Sequence, residues 1–511
     1  MNGRNTKMEL LGSAPIPKAL AALGLPTMIG MLINALYNLA DTYFVGGLGT
    51  NQMGAVTVAF PLGQIVVGLG LLFGNGAAAY LSRLLGRGDR DTANKVASTA
   101  VYSSIFIGAI VICGSMVFLK PILKQIGAME EIMPYAVTYS SIYITCSIFN
   151  VFNVTMNNIV SSEGAAKTAM CALMAGALLN VGLDPVFIYG LDLGVAGAAI
   201  ATAISQMVST FVYLCYIFRK KSVFSFSVKE CDFSKEIMSE ILKIGIPTLV
   251  FQLLTSLSIS MMNGAARDYG SSALAAMGPL TKIMSMGSLV VFGFLKGFQP
   301  IAGFSYGAKR FDRLNEAIRT SILWSTAFCV IFGSVAALFS TSIMSLFTKD
   351  DMEMVRVGSI ALRANGLSFM LFGFYTVYSF LFLVMGKARE GCILGACRQG
   401  ICFVPVILVL PIFWGLGGIL YAQPIADVLS GIITACMAVH LHKELAAAKT
   451  RFPSPAASDV FENSFPPSVR PTSRYIWSQF GQRSPLRLPH RDQISHKVER
   501  TADGKQFSNT P

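Results

Sequence analysis

Charged residues are scarce in this chain of 511 residues, and the scarcity excludes most soluble folds. Asp, Glu, Lys and Arg make up 13% of the sequence, against 53% hydrophobic residues and a mean hydropathy of +0.58. Soluble domains average about 25% charged residues. Apolar runs of about 20 residues, long enough to cross a bilayer, recur from Ile16 to His440. The sequence therefore predicts an all-α integral membrane protein, because a bilayer-spanning backbone must satisfy its own hydrogen bonds.

Histidines, paired cysteines and phosphate-binding loops are also missing where an enzyme would need them. All four histidines lie at or beyond His440, which excludes a histidine metal site in the membrane region. The cysteines include no CxxC pair, and no GxxxxGK[ST] loop is present. We therefore expect no enzymatic activity and no cofactor, so that any work on a solute is driven by a gradient or by a partner.

Apolar runs separated by charged loops predict twelve transmembrane helices. Loops on one side carry most of the Lys and Arg residues, whereas "GGLGTNQ" and "WGLGG" on the other side carry none. The positive-inside rule then places both termini in the cytoplasm. It also accounts for much of the net charge of +13, so nucleic acid is not an expected partner. The predicted helices lie near residues 16–44, 53–82, 93–119, 132–157, 166–190, 194–218, 237–264, 273–303, 315–346, 355–385, 391–414 and 417–441.

An internal repeat divides the chain into two halves. "LGLPTM" recurs as "IGIPTL" 221 residues later, and the shift persists in Gly76 with Gly297, Gly86 with Gly307 and Asp91 with Asp312. Six spans per half give both halves the same orientation, a parallel tandem repeat associated with alternating-access transporters. The predicted organisation is a cytoplasmic N-terminus at 1–15, an N-lobe at 16–218, a cytoplasmic linker at 219–236, a C-lobe at 237–441 and a disordered basic cytoplasmic tail at 442–511.

Two carboxylates lie inside apolar runs of the first half. Asp41 belongs to "LINALYNLAD", and Asp184 interrupts "LLNVGLDPVFIYG". A charged side chain at the centre of a membrane helix costs about 2.5–3.5 kcal/mol. At the 221 shift Asp41 aligns with Met262. The match of "LDPVFIYG" with "LPIFWG" aligns Asp184 with another apolar residue, Leu410. We therefore expect the intramembrane acids to belong to the first half only and to serve a task that only this half performs.

Polar side chains share helical faces with these acids or lie on neighbouring spans. Such a group can exchange protons, or can hold Na⁺ at Asp41 and Asp184 with amide and hydroxyl oxygens. Pro185 interrupts the helical hydrogen bonds just after Asp184 and is the predicted hinge. The alternative is that both acids lie near helix ends and reach headgroup water. The polar side chains are Asn34, Tyr37, Asn38, Asn153, Asn157, Asn180 and Thr202.

Five stretches resemble the multidrug and toxic compound extrusion (MATE) family, in its DinF-type branch, and the resemblance covers about residues 10–445. They are "LGLPTMIGMLINALYNLADTYFVGGLG", "LLGRGDRDTANKVA", "SSEGAAKTAM", "LLNVGLDPVFIYGLDLGVAGAAIATAISQ" and "GFQPIAGFSYGAKRFD". The resemblance implies two six-helix lobes around a central cleft, and secondary active export of amphipathic organic cations in antiport with H⁺ or Na⁺. It also implies a cation-coupling network of Asp41, Asn157, Asn180, Asp184 and Thr202. The long basic tail departs from the family pattern.

The expected substrates are small-molecule cationic drugs or toxins. Aromatic and methionine side chains offer adaptable surface to such cations. We expect the protein to be a monomer in the plasma (inner) membrane, with membrane lipids as its other partners. The predicted substrate cleft is lined by Asn34, Tyr37, Asn38, Phe60, Phe149, Asn153, Met156, Met284 and Met286.

Two other functions stay open at this point. A flippase for a lipid-linked precursor would need a cationic cleft, for which the candidates inside spans are Lys282, Lys296 and Arg363. A membrane-embedded prenyl-type transferase would need paired aspartates in loops that bind Mg²⁺-pyrophosphate. The "DRD" at Asp89 lies in a basic loop without further acids, which argues against the transferase.

Overall fold

The structure is a computed structural model that describes residues 2–126, 128–347 and 351–451. Its first half is helical almost throughout. The helices are α1 (Asn2–Gly12), α2 (Ile16–Gly46), α3 (Thr50–Arg87), α4 (Arg90–Val117), α5 (Leu119–Ile126), α6 (Met133–Thr145), α7 (Ser147–Ser162), α8 (Ala166–Pro185), a π-helix at Val186–Gly190, and α9 (Gly194–Phe218).

The second half repeats this order of elements after a short 3₁₀ turn at Val228–Glu230. The helices are α10 (Lys235–Arg267), α11 (Ser271–Gly307), α12 (Phe311–Leu338), α13 (Ser340–Ser345), α14 (Met352–Phe369), α15 (Phe372–Val384), α16 (Ala388–Ala396), a π-helix at Cys397–Ile401, α17 (Phe403–Trp414) and α18 (Leu416–Arg451).

The predicted all-α membrane fold is confirmed. Ten of the described helices are long and apolar enough to cross a membrane, and the pair α14 and α15, bent by 52°, makes eleven. The remaining predicted span is the broken pair α6 and α7, which gives twelve spans in two six-helix lobes. The duplication extends to small features, because a short helix precedes each broken span and a π-helix lies in both the fifth and the eleventh span.

Glycines let the two lobes approach each other closely, and they do so in a pseudo-symmetric way. A Cβ atom on Gly76 would lie 3.2 Å from the backbone nitrogen of Gly245, and one on Gly297 would lie 2.6 Å from the Cα of Gly24. Gly24 and Gly245 are repeat mates, as are Gly76 and Gly297. The "LGLPTM" and "IGIPTL" motifs therefore mark where each lobe crosses the other, and only glycine leaves room there.

Polar contacts join the lobes in the half of the membrane next to the basic loops, which we call the basic side. Asn75 Nδ2 donates to Thr248 Oγ1 at 3.0 Å, and Gln299 Nε2 donates to Asn75 Oδ1 at 3.2 Å. The described interlobe side-chain hydrogen bond nearest the opposite side is Gln252 Nε2 to Gln64 Oε1, at 2.7 Å. The lobes are thus bonded from the basic side to about mid-membrane.

The N-terminal segment is more ordered than the prediction of a simple cytoplasmic terminus at 1–15. Helix α1 packs on both lobes, with Leu11 fully buried. Lys7 Nζ forms an ion pair with Glu163 of the first lobe at 3.3 Å. Arg313 of the second lobe donates to the backbone oxygens of Leu11 at 3.1 Å and Ala14 at 2.7 Å. These arginine contacts satisfy carbonyl groups that the end of a helix leaves unpaired.

The boundary of the predicted tail is wrong by ten residues. Helix α18 continues through Arg451, so that residues 442–451 are helical rather than disordered. Lys387 pairs with Glu444 in this extension, and Lys449 pairs with Asp312 at 2.5 Å. The rest of the predicted disordered tail, residues 452–511, lies outside the described residues.

The linker between the lobes is fastened to the third span, α4. Ser98 Oγ donates to the backbone oxygen of Ser225 at 3.1 Å, and Lys95 Nζ lies 3.2 Å from Asp232 Oδ2. The Lys95 ammonium and the Ser234 backbone N–H lower the pKa of Asp232 below its ordinary value. The linker therefore packs against the first lobe.

Candidate functional site: a buried carboxylate cluster in the first lobe

Helix direction brings four of the predicted coupling residues to one depth. With a rise of about 1.5 Å per residue, Asp41 and Asp184 lie roughly 8–9 Å from the ends of their spans on the side opposite the basic loops. Thr202 lies about 12 Å from the same end of α9, and Asn180 is one helical turn before Asp184. The first, fifth and sixth spans therefore present these side chains at the same level.

Hydrogen bonds join three of the four residues. Asn180 Nδ2 donates to Asp184 Oδ1 at 3.2 Å and to Thr202 Oγ1 at 3.4 Å. Asp184 has no exposed surface and Asn180 is 1% exposed, which rejects the alternative that Asp184 reaches headgroup water. The amide uses its donor group on the carboxylate and the hydroxyl, so its carbonyl oxygen is left for another partner.

Three buried oxygen atoms in this cluster accept no hydrogen bond. They are Asp41 Oδ1, Asn180 Oδ1 and Asp184 Oδ2. Asp41 is close enough to Asp184 for the two carboxylates to interact electrostatically, and like charges repel. Buried acceptors without a donor are costly, and a buried negative pair without a counter-ion is more so. A proton on one carboxylate, or a small hard cation, would remove much of this cost.

The helix widens directly after Asp184. Helix α8 ends at Pro185, and a π-helix follows, in which the Leu191 N–H donates to the Val186 oxygen five residues back at 2.8 Å. Proline lacks the N–H that would continue the α-helical ladder, and π-turns are frequent at functional sites. The predicted irregularity at Pro185 is present, and it lies within one residue of the buried carboxylate.

Polar space adjoins the cluster between the fourth and sixth spans. A small cavity is lined by Tyr143, Ser147, Asn150, Thr202 and Gln206, together with three small side chains. Thr202 therefore contacts both the carboxylate cluster and this cavity. The cavity offers hydroxyl and amide groups to water or an ion next to Asn180.

Asn157, the fifth residue of the predicted network, lies at a different depth. It is only about 8 Å from the basic end of α7, because the fourth span runs toward that side. Its partners are Tyr213, whose hydroxyl is 3.1 Å from Nδ2, and Lys296, whose Nζ donates to Oδ1 at 3.0 Å. Sequence reasoning could not anticipate the contact with Lys296, because that residue belongs to the other lobe.

The predicted cleft residues occupy several environments. Asn38 and Phe60 are exposed, Phe60 by 61%, and Asn38 Nδ2 bonds to the backbone oxygen of Asn34 at 2.7 Å. Asn153 is bonded to Gln206 at 2.8 Å and accepts from Thr210 at 2.9 Å. Met156 is fully buried in the main core and therefore presents no surface to a cleft in this conformation. The other predicted residues are half-buried or exposed: Asn34, Tyr37, Phe149, Met284 and Met286.

The expectation that intramembrane acids belong to the first half only is wrong. Asp427 lies in α18, about 16 Å from the start of that span, and is 2% exposed. Arg398 Nε donates to Asp427 Oδ1 at 3.0 Å, Gln423 Nε2 at 2.9 Å and Tyr375 at 3.3 Å, while Ser368 donates to Oδ2 at 2.9 Å. The signal that could have revealed this site was a basic and an acidic residue in the adjacent eleventh and twelfth spans.

Duplicated six-helix lobes, bonded from one side, with buried ionisable groups among the spans, define a multi-pass membrane transporter. Comparison with known proteins supports this class and makes it specific. The model of the MatE family matches residues 26–186 and 247–409. The chain therefore belongs to the MatE family of multidrug export transporters, as its sequence motifs predicted, and its relatives are transporters rather than enzymes.

Named relatives and solved structures cover most of the chain. The multidrug export protein MepA of Staphylococcus aureus (strain NCTC 8325 / PS 47) is 29% identical over 442 residues, which are 86% of this chain and 97% of that protein. A structure described as an outward-facing conformation of a multidrug resistance MATE family transporter of the MOP superfamily is 26% identical, with a TM-score of 0.82 over 87% of this chain and 98% of its own. A crystal structure of MATE in complex with MaL6 has the same TM-score and identity, covering 87% and 99%.

Proposed function

We propose that the protein is a secondary active exporter that expels amphipathic organic cations in antiport with H⁺ or Na⁺. The coupling site is the cluster of Asp41, Asn180, Asp184 and Thr202. The observation that carries this proposal is the set of three buried oxygens without a hydrogen-bond partner, two of which belong to neighbouring carboxylates. Multidrug export by the named relatives supports the substrate class.

Ion binding at this cluster drives the transport cycle because it changes the charge of the site. When the pair of carboxylates is unloaded, it attracts a cationic substrate and repels itself. Loading with a proton removes one buried charge and provides a donor for an unpartnered oxygen. Since only interactions that differ between two states can shift their balance, this change biases the first and fifth spans, with Pro185 as the hinge.

We favour H⁺ over Na⁺ as the coupling ion. Two neighbouring carboxylates repel each other when both are charged, so one of them takes up a proton more readily than an isolated acid does. A hard cation such as Na⁺ also takes carboxylate, amide and hydroxyl oxygens, and three of the cluster's oxygens are available to it. Coupling to H⁺ predicts transport driven by a pH gradient, whereas coupling to Na⁺ at the same site predicts transport driven by a Na⁺ gradient.

The orientation we propose follows from the loops. Lys and Arg residues concentrate on the side of the two chain ends, which we assign to the cytoplasm of a plasma (inner) membrane. The lobes are bonded on that side, so the described conformation is closed to the cytoplasm. A conformation of this kind releases substrate to the outside.

Transport in reconstituted vesicles tests the proposal. Purified protein in liposomes loaded with ethidium should move the dye when a pH gradient is imposed, and the anionic dye carboxyfluorescein should stay in place. A Na⁺ gradient is imposed separately at constant pH. Movement with neither gradient, or equal movement of both dyes, would contradict cation-coupled export of cations. Protein-free liposomes give the leak rate.

The flippase alternative receives no specific support from the arrangement of basic residues. Lys282 and Arg363 are exposed side chains, and only Lys296 lies at the lobe interface. A single lysine bonded to an amide does not form the cationic cleft that a pyrophosphate-linked lipid would need.

A further inference from the structure

Lys296 is a buried cation that the coupling mechanism leaves without a role. It lies in α11, within the membrane-spanning part of the second lobe, and is mostly buried. No described carboxylate lies within ion-pair distance of its ammonium group. Its hydrogen bond crosses the lobe interface to Asn157 Oδ1 at 3.0 Å. A membrane-embedded lysine without a counter-ion is costly and needs an explanation.

The repeat shows that the fold does not require a lysine at this position. Lys296 is the mate of Asn75 at the 221 shift, and both residues form polar bonds across the interface. Asn75 does so with neutral partners only, Thr248 and Gln299. The same place in the pseudo-symmetric interface is therefore satisfied by a neutral amide in one lobe and by a charged ammonium in the other.

The bond occupies the side-chain oxygen of Asn157 in the first lobe. Asn157 Oδ1 accepts from Lys296, and Asn157 Nδ2 is 3.1 Å from the Tyr213 hydroxyl. A mobile cation bound to the same oxygen would lie next to the ammonium of Lys296 and be repelled by it, so the ammonium must move away first. Displacement breaks a charge-assisted bond that holds the lobes together on the basic side.

We propose that Lys296 is an interlobe positioning residue that takes the place of a mobile cation at Asn157, so that closure of the basic side and cation binding at Asn157 exclude each other. Its positive charge also lies at the bonded lobe interface on the basic side, where it disfavours rebinding of a released cationic substrate. The use of this contact in transport rests on the proposed export function. Whether the Lys296–Asn157 bond and cation binding exclude each other can be tested without transport.

Hydrogen–deuterium exchange of the full chain in nanodiscs reports closure directly. Lys296→Met keeps the length of the side chain and removes its charge and donor. We expect exchange in the interlobe segments 72–76 and 241–248 to become about tenfold faster, the shift expected when an opening equilibrium loses one charge-assisted bond. Lys282→Met, which changes an exposed lysine in the same helix, is the matched control and should exchange like the wild type.

A second variant tests the bond in the opposite direction. Asn157→Asp turns the neutral acceptor into an anion and so strengthens the contact with Lys296. Exchange in the same segments should slow, and vesicle transport of ethidium should be lost because the basic side cannot open. The double variant Asn157→Asp with Lys296→Met should lose this slowing. Equal exchange of Lys296→Met and Lys282→Met, or no slowing with Asn157→Asp, would overturn the proposal.

The mutual exclusion of closure and cation binding is tested by adding ethidium to the exchange experiment. Ethidium added without any gradient should speed exchange of these segments in the wild type and have a smaller effect in Lys296→Met, whose closure is already weakened. If ethidium has the same effect on both proteins, the two bindings are not exclusive and the inference fails. Failure of the wild type to transport ethidium would instead contradict the export function, and the exchange results would still decide the role of Lys296.

Discussion

The two lobes both bury carboxylates in the membrane, but they satisfy them in opposite ways. Asp427 in the second lobe accepts from an arginine, an amide and two hydroxyls, so that its charge is neutralised and both of its oxygens are bonded. Asp184 in the first lobe accepts from one amide, and its second oxygen has no partner. The second lobe thus holds a complete ion pair, whereas the first lobe holds a carboxylate whose hydrogen bonding is incomplete.

This difference distinguishes a carboxylate with a structural role from carboxylates that are free to bind a mobile ion. A carboxylate that already has a fixed cation gains little from a mobile ion, because the mobile ion would have to compete with a covalently attached guanidinium. A carboxylate pair without a counter-ion has a large difference in energy between its loaded and unloaded forms. We therefore expect the same substitution to have different consequences at the two sites.

The largest expected effect is the loss of transport on neutralising Asp184. Asp184→Asn keeps the size of the side chain but cannot take up and release a proton or balance Na⁺. We expect gradient-driven ethidium movement to fall to the level of protein-free liposomes, while the variant folds and reaches the membrane in normal amounts. Asp41→Asn should behave in the same way. Wild-type rates for Asp184→Asn under both gradients would show that Asp184 is structural.

The next effect is on stability and concerns the second lobe. Asp427→Ala leaves Arg398 buried and unpaired, and removal of one partner of a buried pair costs about 3–5 kcal/mol. Thermal unfolding in detergent should show a clearly lower midpoint. The double variant Asp427→Leu with Arg398→Met removes both charges and should recover most of the loss. If the double variant is as unstable as the single one, the ion pair is not the reason for the loss.

A smaller effect is expected when the same substitution, Asp to Asn, is made at each acid: stability should change in opposite directions at Asp184 and Asp427. Asp184→Asn removes a buried charge whose Oδ2 has no partner, so we expect equal or higher stability, by up to about 2 kcal/mol. Asp427→Asn should lower stability, because it weakens the bond to Arg398. Both variants are compared with wild type by unfolding at neutral pH. A loss of stability in both variants would contradict the difference that we draw between the lobes.

The smallest effect is expected at a partly exposed carboxylate that already has a cationic partner. Asp232 of the linker pairs with Lys95 of α4, and the pKa of Asp232 is lowered by that ammonium and by the Ser234 N–H. A lowered pKa contributes stability above the unfolded value of about 3.9 and loses it as the pH falls through the folded value. Asp232→Asn should therefore lower the unfolding midpoint slightly at pH 7, where this contribution is fully present, and the difference from wild type should shrink as the pH falls below about 3.9. Transport should not change. A transport defect in this variant would mean that the linker contributes to the cycle.

Local pattern was sufficient to predict the spans and the first-lobe acids. Run length and loop charge predicted twelve helices whose ends the structure places within a few residues in most cases, because the bilayer demands length and hydrogen-bonded backbone whatever the neighbours are. The i, i+4 spacing of Asn180 and Asp184 predicted their shared face. Their bond at 3.2 Å follows from helical geometry alone.

Contacts between distant segments were not predictable in the same way. Arg398 pairs with Asp427 across two spans, and nothing in the repeat alignment indicated that these two charges would meet. The contact of Lys296 with Asn157 joins residues 139 positions apart. Helix α1 was predicted only as a terminus, because its packing on both lobes depends on Arg313 and Glu163, which lie far away in the chain.

The sequence by itself determined the membrane class, the number of spans, the internal repeat and the family, since each depends on hydrophobicity, spacing or motif within a short stretch. Only the tertiary structure decided which charges are neutralised. Whether a buried carboxylate is costly depends on the donors that other helices bring to it, and those donors come from segments that no local pattern connects. For this reason Asp184 and Asp427, both acids within apolar helices, have different environments and, as we propose, different roles.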